Sequence, residues 1–275
     1  MTKKTRRILL IVLLGLLLAI TLLPIYWGVV ISFDRTALIS APIPPRLWPQ
    51  QLSMFHYQFV FSAIPFMRYF MNTLFVVFSN TSISVFFAMT CGYAFSKGRF
   101  PFKGALFIFF LAVMMIPFEA RMIPLFLQFR DWGMLNTYWP LILGGFAYSF
   151  GMFLSKQSID QIPDSLRESA FMDGANEWWV FFRIILPLSG PVIAALVILQ
   201  SINNWNNFLW PLIVISDRNM HVISVGIALF NSGDNANFIG PMLAAAMMSA
   251  LPLILIFFIF QKKIVESVAF AGIKQ

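Results

Sequence analysis

The segment PDSLRESAFMDGANEWW, residues 163–179, is a polar stretch in a strongly apolar chain, and apolar character returns at IILP, residues 184–187. The whole chain has 59% hydrophobic residues, 11% charged residues and a mean hydropathy of +0.80. So few polar side chains cannot cover a soluble globule of 275 residues, and the sequence therefore predicts a protein that lies in a bilayer. The polar segment is then expected to lie in water between two membrane spans.

The same segment carries the signals of a short helix. Ser165 and Glu168 have the spacing of a capping box, in which each side chain binds the backbone N–H of the other residue. Pro163 lies where it cannot continue a preceding helix, and Gly174 suits the left-handed position that ends one. These signals predict a helix over residues 166–173. Because a helix this short is marginal in water, we expect it to gain order by packing against a partner protein.

Six apolar runs are long enough to cross about 30 Å of hydrocarbon. A helix satisfies all of its own backbone hydrogen bonds in lipid, so each run is predicted to be helical. The predicted fold class is an all-α polytopic membrane protein with six transmembrane helices. The runs cover residues 8–33, 71–96, 105–127, 137–154, 188–213 and 238–260.

Prolines change the predicted structure in two regions. The third run contains Pro117 and Pro124, so its crossing is predicted to end near Ile116, with a short outer helix over residues 121–132. The first outer segment, residues 34–68, is rich in proline and lacks a sustained period. It is expected to form extended and turn structure at the outer surface.

The basic residues predict the orientation of the chain. When the loops are counted alternately from the N-terminus, 13 of the 19 lysines and arginines fall on one side and 6 on the other. The positive-inside rule places both termini and the segment 163–187 in the cytoplasm. The same scatter along membrane edges argues against nucleic acid as a partner, although the net charge is +8.

Residue types that carry catalysis or bind metals are sparse. Cys91 is the only cysteine, and His56 and His221 both fall outside the predicted spans. We therefore predict no catalytic residues and no metal site. The eleven acids fall at span ends or in loops, which argues against an ion- or proton-coupled secondary transporter. No Gly-x4-Gly-Lys-Ser/Thr loop is present, so any ATP chemistry belongs to another polypeptide.

The polar segment resembles the EAA loop of permease subunits in bacterial ATP-binding-cassette (ABC) importers. Ser169 stands where that pattern has its second alanine, a small-for-small exchange. The matching positions are Glu168, Ala170, Gly174, Ile184, Leu186 and Pro187. The resemblance implies the type I ABC importer permease fold, with the short helix as a cytoplasmic coupling helix that docks on the ATPase. The residues it assigns to coupling are Ser165, Leu166, Arg167, Glu168, Ser169, Ala170, Met172, Asp173 and Gly174.

A stripe of polar residues marks the fifth span. Its members recur at steps of three and four and would share one helical face: Gln200, Asn203, Asn206, Asn207 and Trp210. Amides in hydrocarbon need partners, either another helix or a water-filled path. The stripe therefore has two interpretations, packing between helices or lining of the translocation path. Residues 205–212 also resemble the Trp-Asn-x-Phe-x-x-Pro-Leu sequence of the carbohydrate branch of these permeases. Residues 133–139 resemble the Gly-Leu-x-Asn-Thr-Tyr segment that precedes the fourth span in that branch.

The resemblance implies the remaining organisation and partners. Residues 1–70 would hold the first span and outer segment, residues 71–262 the permease core, and residues 263–275 a cytoplasmic tail that either reaches the ATPase or frays. The expected partners are ABC ATPase subunits that bind ATP and Mg, a second permease subunit of a different chain, an extracellular solute-binding protein and membrane lipid. The chain itself would bind no cofactor. The expected cargo is a sugar or oligosaccharide in a bacterial inner membrane, and glycerol phosphate is the alternative solute.

Overall fold

The computed structural model describes residues 3–40, 42–232 and 238–272, and within them the fold is helical, without a β-strand. The all-α prediction is therefore confirmed for the described residues. The helices are α1 (Lys3–Phe33), α2 (Phe55–Ala63), α3 (Phe66–Lys97), α4 (Lys103–Met114), α5 (Phe118–Asp131), α6 (Trp139–Leu143), α7 (Ser149–Asp160), α8 (Asp164–Met172), α9 (Glu177–Val180), α10 (Leu186–Leu188), α11 (Gly190–Asn206), α12 (Leu209–Val214), α13 (Ile223–Ser232) and α14 (Ile239–Gly272). A π-helix, Phe181–Ile185, joins α9 to α10, and a 3₁₀ turn, Arg218–Met220, precedes α13.

Three of these helices, α1, α3 and α14, are long and apolar enough to cross a membrane on their own. Two further candidate spans are bent pairs. Helices α4 and α5 meet at 99°, and the helical stretch 177–188 meets α11 at 79°. The predicted split of the third run is confirmed, because α4 ends at Met114 and α5 begins at Phe118.

The prediction of continuous helices in the fourth and fifth runs is wrong. Residues 144–148 separate α6 from α7, and residues 207–208 separate α11 from α12. A Cβ on Gly144 would lie 2.4 Å from the Pro140 carbonyl oxygen and 2.9 Å from Trp210 Nε1, so only glycine allows this close approach. The Gly144–Gly145 pair and the amides within residues 203–207 were local signals of these breaks, but each run is apolar enough overall to be assigned as one continuous span.

The chain forms two compact units. One contains residues 1–68 and 225–251, and the other contains residues 69–224 and 252–275. In the first unit, Phe59 lies edge-on to both Phe230 and Phe238. In the second, α3, α7, α8 and α11 contribute buried apolar residues to one core. Of the predicted tail, residues 273–275 lie outside the described residues, and α14 continues to Gly272.

Candidate functional site

The first candidate site is the docking segment, residues 163–187, which begins with α8. Pro163 precedes α8, and no side-chain hydrogen bond caps this helix. The predicted capping box is therefore wrong. Ser165 lies inside the first turn, where its carbonyl accepts a hydrogen bond from Ser169 Oγ at 2.8 Å. Asp164 occupies the first helical position instead, where the helix dipole favours a carboxylate.

The predicted end of α8 is confirmed. Gly174 has φ +82°, a left-handed conformation that suits glycine. Its N–H donates to Phe171 O at 3.0 Å, and the Ala175 N–H donates to Ala170 O at 2.9 Å. These two bonds form a Schellman motif, which satisfies the last carbonyls of the helix.

Ionic and polar contacts attach α8 to the end of α3. Lys97 Nζ lies 2.7 Å from Asp164 Oδ1 and donates to Ile162 O at 2.7 Å. The Glu177 carboxylate accepts from both the Arg167 guanidinium and the Tyr93 hydroxyl. Sequence patterns did not indicate that Tyr93 and Lys97 contact this segment, because their partners lie more than sixty residues away in the chain.

The contacts of Glu177 determine its protonation. Partial burial acts to raise its pKa, but the hydrogen bonds from Arg167 and Tyr93 outweigh burial and hold the pKa below its ordinary value. Hydrogen bonding and the charge of Lys97 likewise lower the pKa of Asp164. Both carboxylates are therefore ionised at neutral pH.

One side of α8 lies open to an incoming partner. Leu166 and Met172 are exposed, with Met172 at 88%. A concavity of about 520 Å³ is lined by Leu166, with Ser169, Asp173 and Trp179 on its walls. Ala170 contributes to its floor but is only 7% exposed, because most of its side chain packs in the core of the chain. Small residues therefore border the concavity, although Ala170 offers little surface of its own.

The docking segment returns toward α11 through the π-helix. The Leu186 N–H donates to Phe181 O, five residues earlier, and Pro187 follows directly. Proline has no N–H to donate, and its ring conflicts with regular α-helical bonding. Such wide turns within helices are frequent at functional sites. Buried Ser189 then marks the 79° bend into α11.

The second candidate site is the amide cavity, a space of about 870 Å³ in the second unit. All five members of the predicted polar stripe line it, namely Gln200, Asn203, Asn206, Asn207 and Trp210. They do not form one helical face, because α11 ends at Asn206 and α12 begins at Leu209. Gln200 and Trp210 are buried, whereas Asn203 and Asn206 are exposed.

A buried hydrogen-bonded cluster forms one wall of the amide cavity. Gln200 Nε2 donates to Asn80 Oδ1 at 3.0 Å, and Asn204 Nδ2 donates to the same oxygen at 2.7 Å. Asn80 Nδ2 in turn donates to Leu141 O and Ile142 O. The cluster thus connects α3, α6 and α11. Sequence patterns did not indicate Asn80 and Asn204, although Asn80, well inside the second predicted span, was an available signal.

Two of the stripe residues make packing contacts, and two others face the amide cavity. Trp210 Nε1 donates to Pro140 O at 2.9 Å, and Gln200 bonds to α3, so these two pack helices together. Gln200 Oε1 is buried without a hydrogen-bond partner at the cavity wall. Asn203 and Asn206 present exposed amides to the cavity.

Known proteins are similar to this chain in sequence. The family described as binding-protein-dependent transport system inner membrane component matches residues 84–269. The arabinooligosaccharides transport system permease protein AraQ of Bacillus subtilis is 33% identical over 227 residues, which cover 82% of this chain and 80% of that protein. The diacetylchitobiose uptake system permease protein NgcG of Streptomyces coelicolor is 30% identical over 255 residues, 91% of this chain and 83% of that protein.

A solved structure shares the fold. One chain from the crystal structure of a bacterial ABC transporter involved in the import of the acidic polysaccharide alginate matches with a TM-score of 0.83. The match covers 95% of this chain and 98% of that chain at 24% identity. The importer-permease fold predicted from the EAA resemblance is confirmed. Since the family match also covers more than half of its length, this chain belongs to the family of binding-protein-dependent transport system inner membrane components.

Proposed function

We propose that the chain is one transmembrane permease subunit of an ATP-driven ABC importer that moves a sugar or oligosaccharide inward. ATPase subunits dock on α8 from the cytoplasm, a second permease subunit completes the pathway, and a solute-binding protein delivers the cargo from outside. Both termini lie in the cytoplasm of a bacterial cell, as the distribution of basic residues favours. ATP and Mg bind to the ATPase, since this sequence has no phosphate-binding loop.

The observation that carries this proposal is the connection of both candidate sites to α3. Tyr93 and Lys97, at one end of α3, hold the docking segment. Asn80, in the same unbroken helix, holds the wall of the amide cavity. The 17 intervening steps correspond to about 25 Å of helix. Movement of α8 by a docked ATPase therefore reaches the cavity through one rigid element.

The composition of the cavity wall supports a neutral, hydroxyl-rich cargo. Among its lining residues, Glu119 and Arg121 contribute opposite charges, and the other polar side chains include six amides from Asn80, Gln200 and residues 203–207. Phe118, Tyr148 and other rings offer flat apolar faces beside them. Amides bind sugar hydroxyls, and aromatic rings pack against the C–H faces of sugars. The names of AraQ and NgcG, which refer to oligosaccharide transport and uptake, point to the same class of solute.

Crosslinking tests the docking part of the proposal. With Cys91 replaced by alanine, a cysteine at exposed Met172 is expected to crosslink in membranes to a copurifying ATP-hydrolysing chain. A cysteine at Ala170, which is 7% exposed, is the matched control and is expected to react poorly. Capture of no ATPase from an intact, transport-competent complex would contradict the proposal and favour a secondary transporter.

A further inference from the structure

The outer loop between α1 and α2 folds back along α1. Its base closes near the end of α1, where Asp34 pairs with Leu52 in a β-bridge and the Gln50 N–H donates to Asp34 Oδ2 at 3.0 Å. Farther into the loop, Leu47 O accepts a hydrogen bond of 2.5 Å from the Tyr26 hydroxyl. Tyr26 precedes Asp34 by eight residues, so it lies about 12 Å deeper along the helix axis. Leu47 is therefore held well below the end of α1.

The level of Tyr26 corresponds to the outer boundary of the hydrocarbon. The apolar run of α1 begins at Ile8, directly after Arg6 and Arg7. About twenty helical residues cross the hydrocarbon core, which puts its outer boundary close to residue 28. Tyr26 and the neighbouring Trp27 fit the aromatic belt at that boundary.

The tip of the loop, residues 43–48, presents apolar side chains at this level. Ile43 is 95% exposed, Leu47 66% and Trp48 75%. The side chains of α1 beside it are also exposed along its length, from Ile8 to Ile25. The apolar surface of the tip thus continues the apolar surface of α1.

The polar groups of the tip are arranged as lipid contact requires. The charged end of Arg46 lies away from the tip, where Nη1 donates to Thr36 Oγ1 at 2.9 Å and lies 3.4 Å from Asp34 Oδ2. A long stem with its charge drawn toward water is the arrangement known as snorkelling. Four prolines in the loop, at 42, 44, 45 and 49, have no backbone N–H that would need a partner away from water.

We infer that residues 43–48 insert into the interface of the outer leaflet and anchor the outer end of α1 to lipid. The partner is the boundary between lipid headgroups and acyl chains, which Trp48 and Leu47 contact directly. The anchor fixes the depth of α1 independently of ATPase docking, so its test does not depend on the transport proposal.

Depth-dependent quenching tests this inference in the purified membrane complex, reconstituted in phosphatidylcholine vesicles. Leu47→Cys, in a Cys91→Ala background, is labelled with an environment-sensitive fluorophore, and the signal of the background complex is subtracted. Gln50→Cys is the matched control, because it is an exposed side chain of the same loop whose backbone lies at the level of Asp34. Lipids with a nitroxide near the headgroup are expected to quench the label at 47 at least about threefold more than the label at 50. Aqueous iodide is expected to show the reverse order.

Two outcomes overturn the inference. Equal iodide quenching of the labels at positions 47 and 50, without quenching by nitroxide lipids, would place the tip in water, where a soluble binding protein could contact it. Shielding of position 47 from both quenchers would place the tip against another protein subunit. A Trp48→Phe variant that keeps the lipid quenching, beside a Trp48→Asp variant that loses it, would confirm that apolar contact holds the tip in place.

Discussion

At the residue scale, Gly174 is a position where the backbone conformation favours glycine. Its φ of +82° ends α8 and directs the chain toward Trp178 and Trp179. For a non-glycine residue this conformation costs roughly 1–2 kcal/mol. We expect Gly174→Ala to fray the end of α8 and to lower solute-stimulated ATPase activity in the reconstituted complex. Gly174→Asn is the control, because asparagine tolerates the left-handed conformation and should retain more activity. Equal activity of the alanine and asparagine variants would show that the geometry of this turn is unimportant.

Asp34 has a similar organising role in the outer loop. Burial acts to raise its pKa, but hydrogen bonds from the Gln50, Thr36 and Gln51 backbones and the Thr36 hydroxyl outweigh it and lower the pKa to about 2. A folded-state pKa below the unfolded value means that the carboxylate stabilises the fold above the unfolded pKa, and that this contribution disappears as the pH falls through about 2.

Asp34→Asn should therefore lower the free energy of unfolding by about 2 kcal/mol at neutral pH. The difference from the parent protein should stay constant down to about pH 5 and shrink as the pH approaches the folded-state pKa. Thermal unfolding in detergent, monitored by intrinsic fluorescence at several pH values, measures the stability difference and its pH dependence. Asp131→Asn serves as the control, since Asp131 forms an exposed pair with adjacent Arg130 and should change stability little. Equal loss of stability in Asp34→Asn and Asp131→Asn would argue against a stabilising role for the hydrogen bonds of Asp34 in the loop.

At the scale of elements, α3 is the proposed connection between docking and transport. Lys97→Ala removes both the ion pair to Asp164 and the hydrogen bond to Ile162 O. We expect basal ATPase activity to persist while solute-stimulated activity falls about fivefold or more, as is typical when coupling between two sites is weakened. Lys97→Arg keeps the charge and should restore much of the stimulation. Full stimulation in Lys97→Ala would show that α3 does not transmit the docking signal.

The elements also show what the sequence could predict. The end of α8 at Gly174 and the division between α4 and α5 followed from local residue chemistry, because glycine and proline act on the backbone where they occur. The breaks at 144–148 and 207–208 did not follow from the periodic pattern. Apolar periodicity indicates which residues are buried, and it does not indicate whether a helix is continuous. The capping-box prediction was wrong because α8 begins at Asp164, which forms an ion pair with Lys97 from a distant part of the chain. The π-helix before Pro187 likewise has no periodic signal.

At the scale of the molecule, the amide cavity contains structural amides and exposed amides that we propose to face the solute. Asn80→Ala would remove the acceptor that Gln200 and Asn204 share and the donor to two backbone carbonyls, at a cost of about 1–3 kcal/mol. Asn203→Ala removes an exposed amide and should leave stability unchanged while weakening the apparent affinity for sugar. Thermal unfolding together with sugar-dependent uptake distinguishes these effects. Loss of stability in Asn203→Ala, or unchanged uptake, would assign Asn203 to packing.

The buried cluster around Asn80 also limits how the permease can change shape. If α3 alone tilted by about 10° about its Lys97 end, Asn80, about 25 Å away along the helix, would move sideways by roughly 4 Å. That displacement exceeds the length of the Asn80 bonds to Gln200, Asn204 and Ile142. Helices α6 and α11 must therefore travel with α3 as a single block. We therefore expect the pathway to open beside this block and not through the Asn80 cluster, whose hydrogen bonds would stay intact through the cycle.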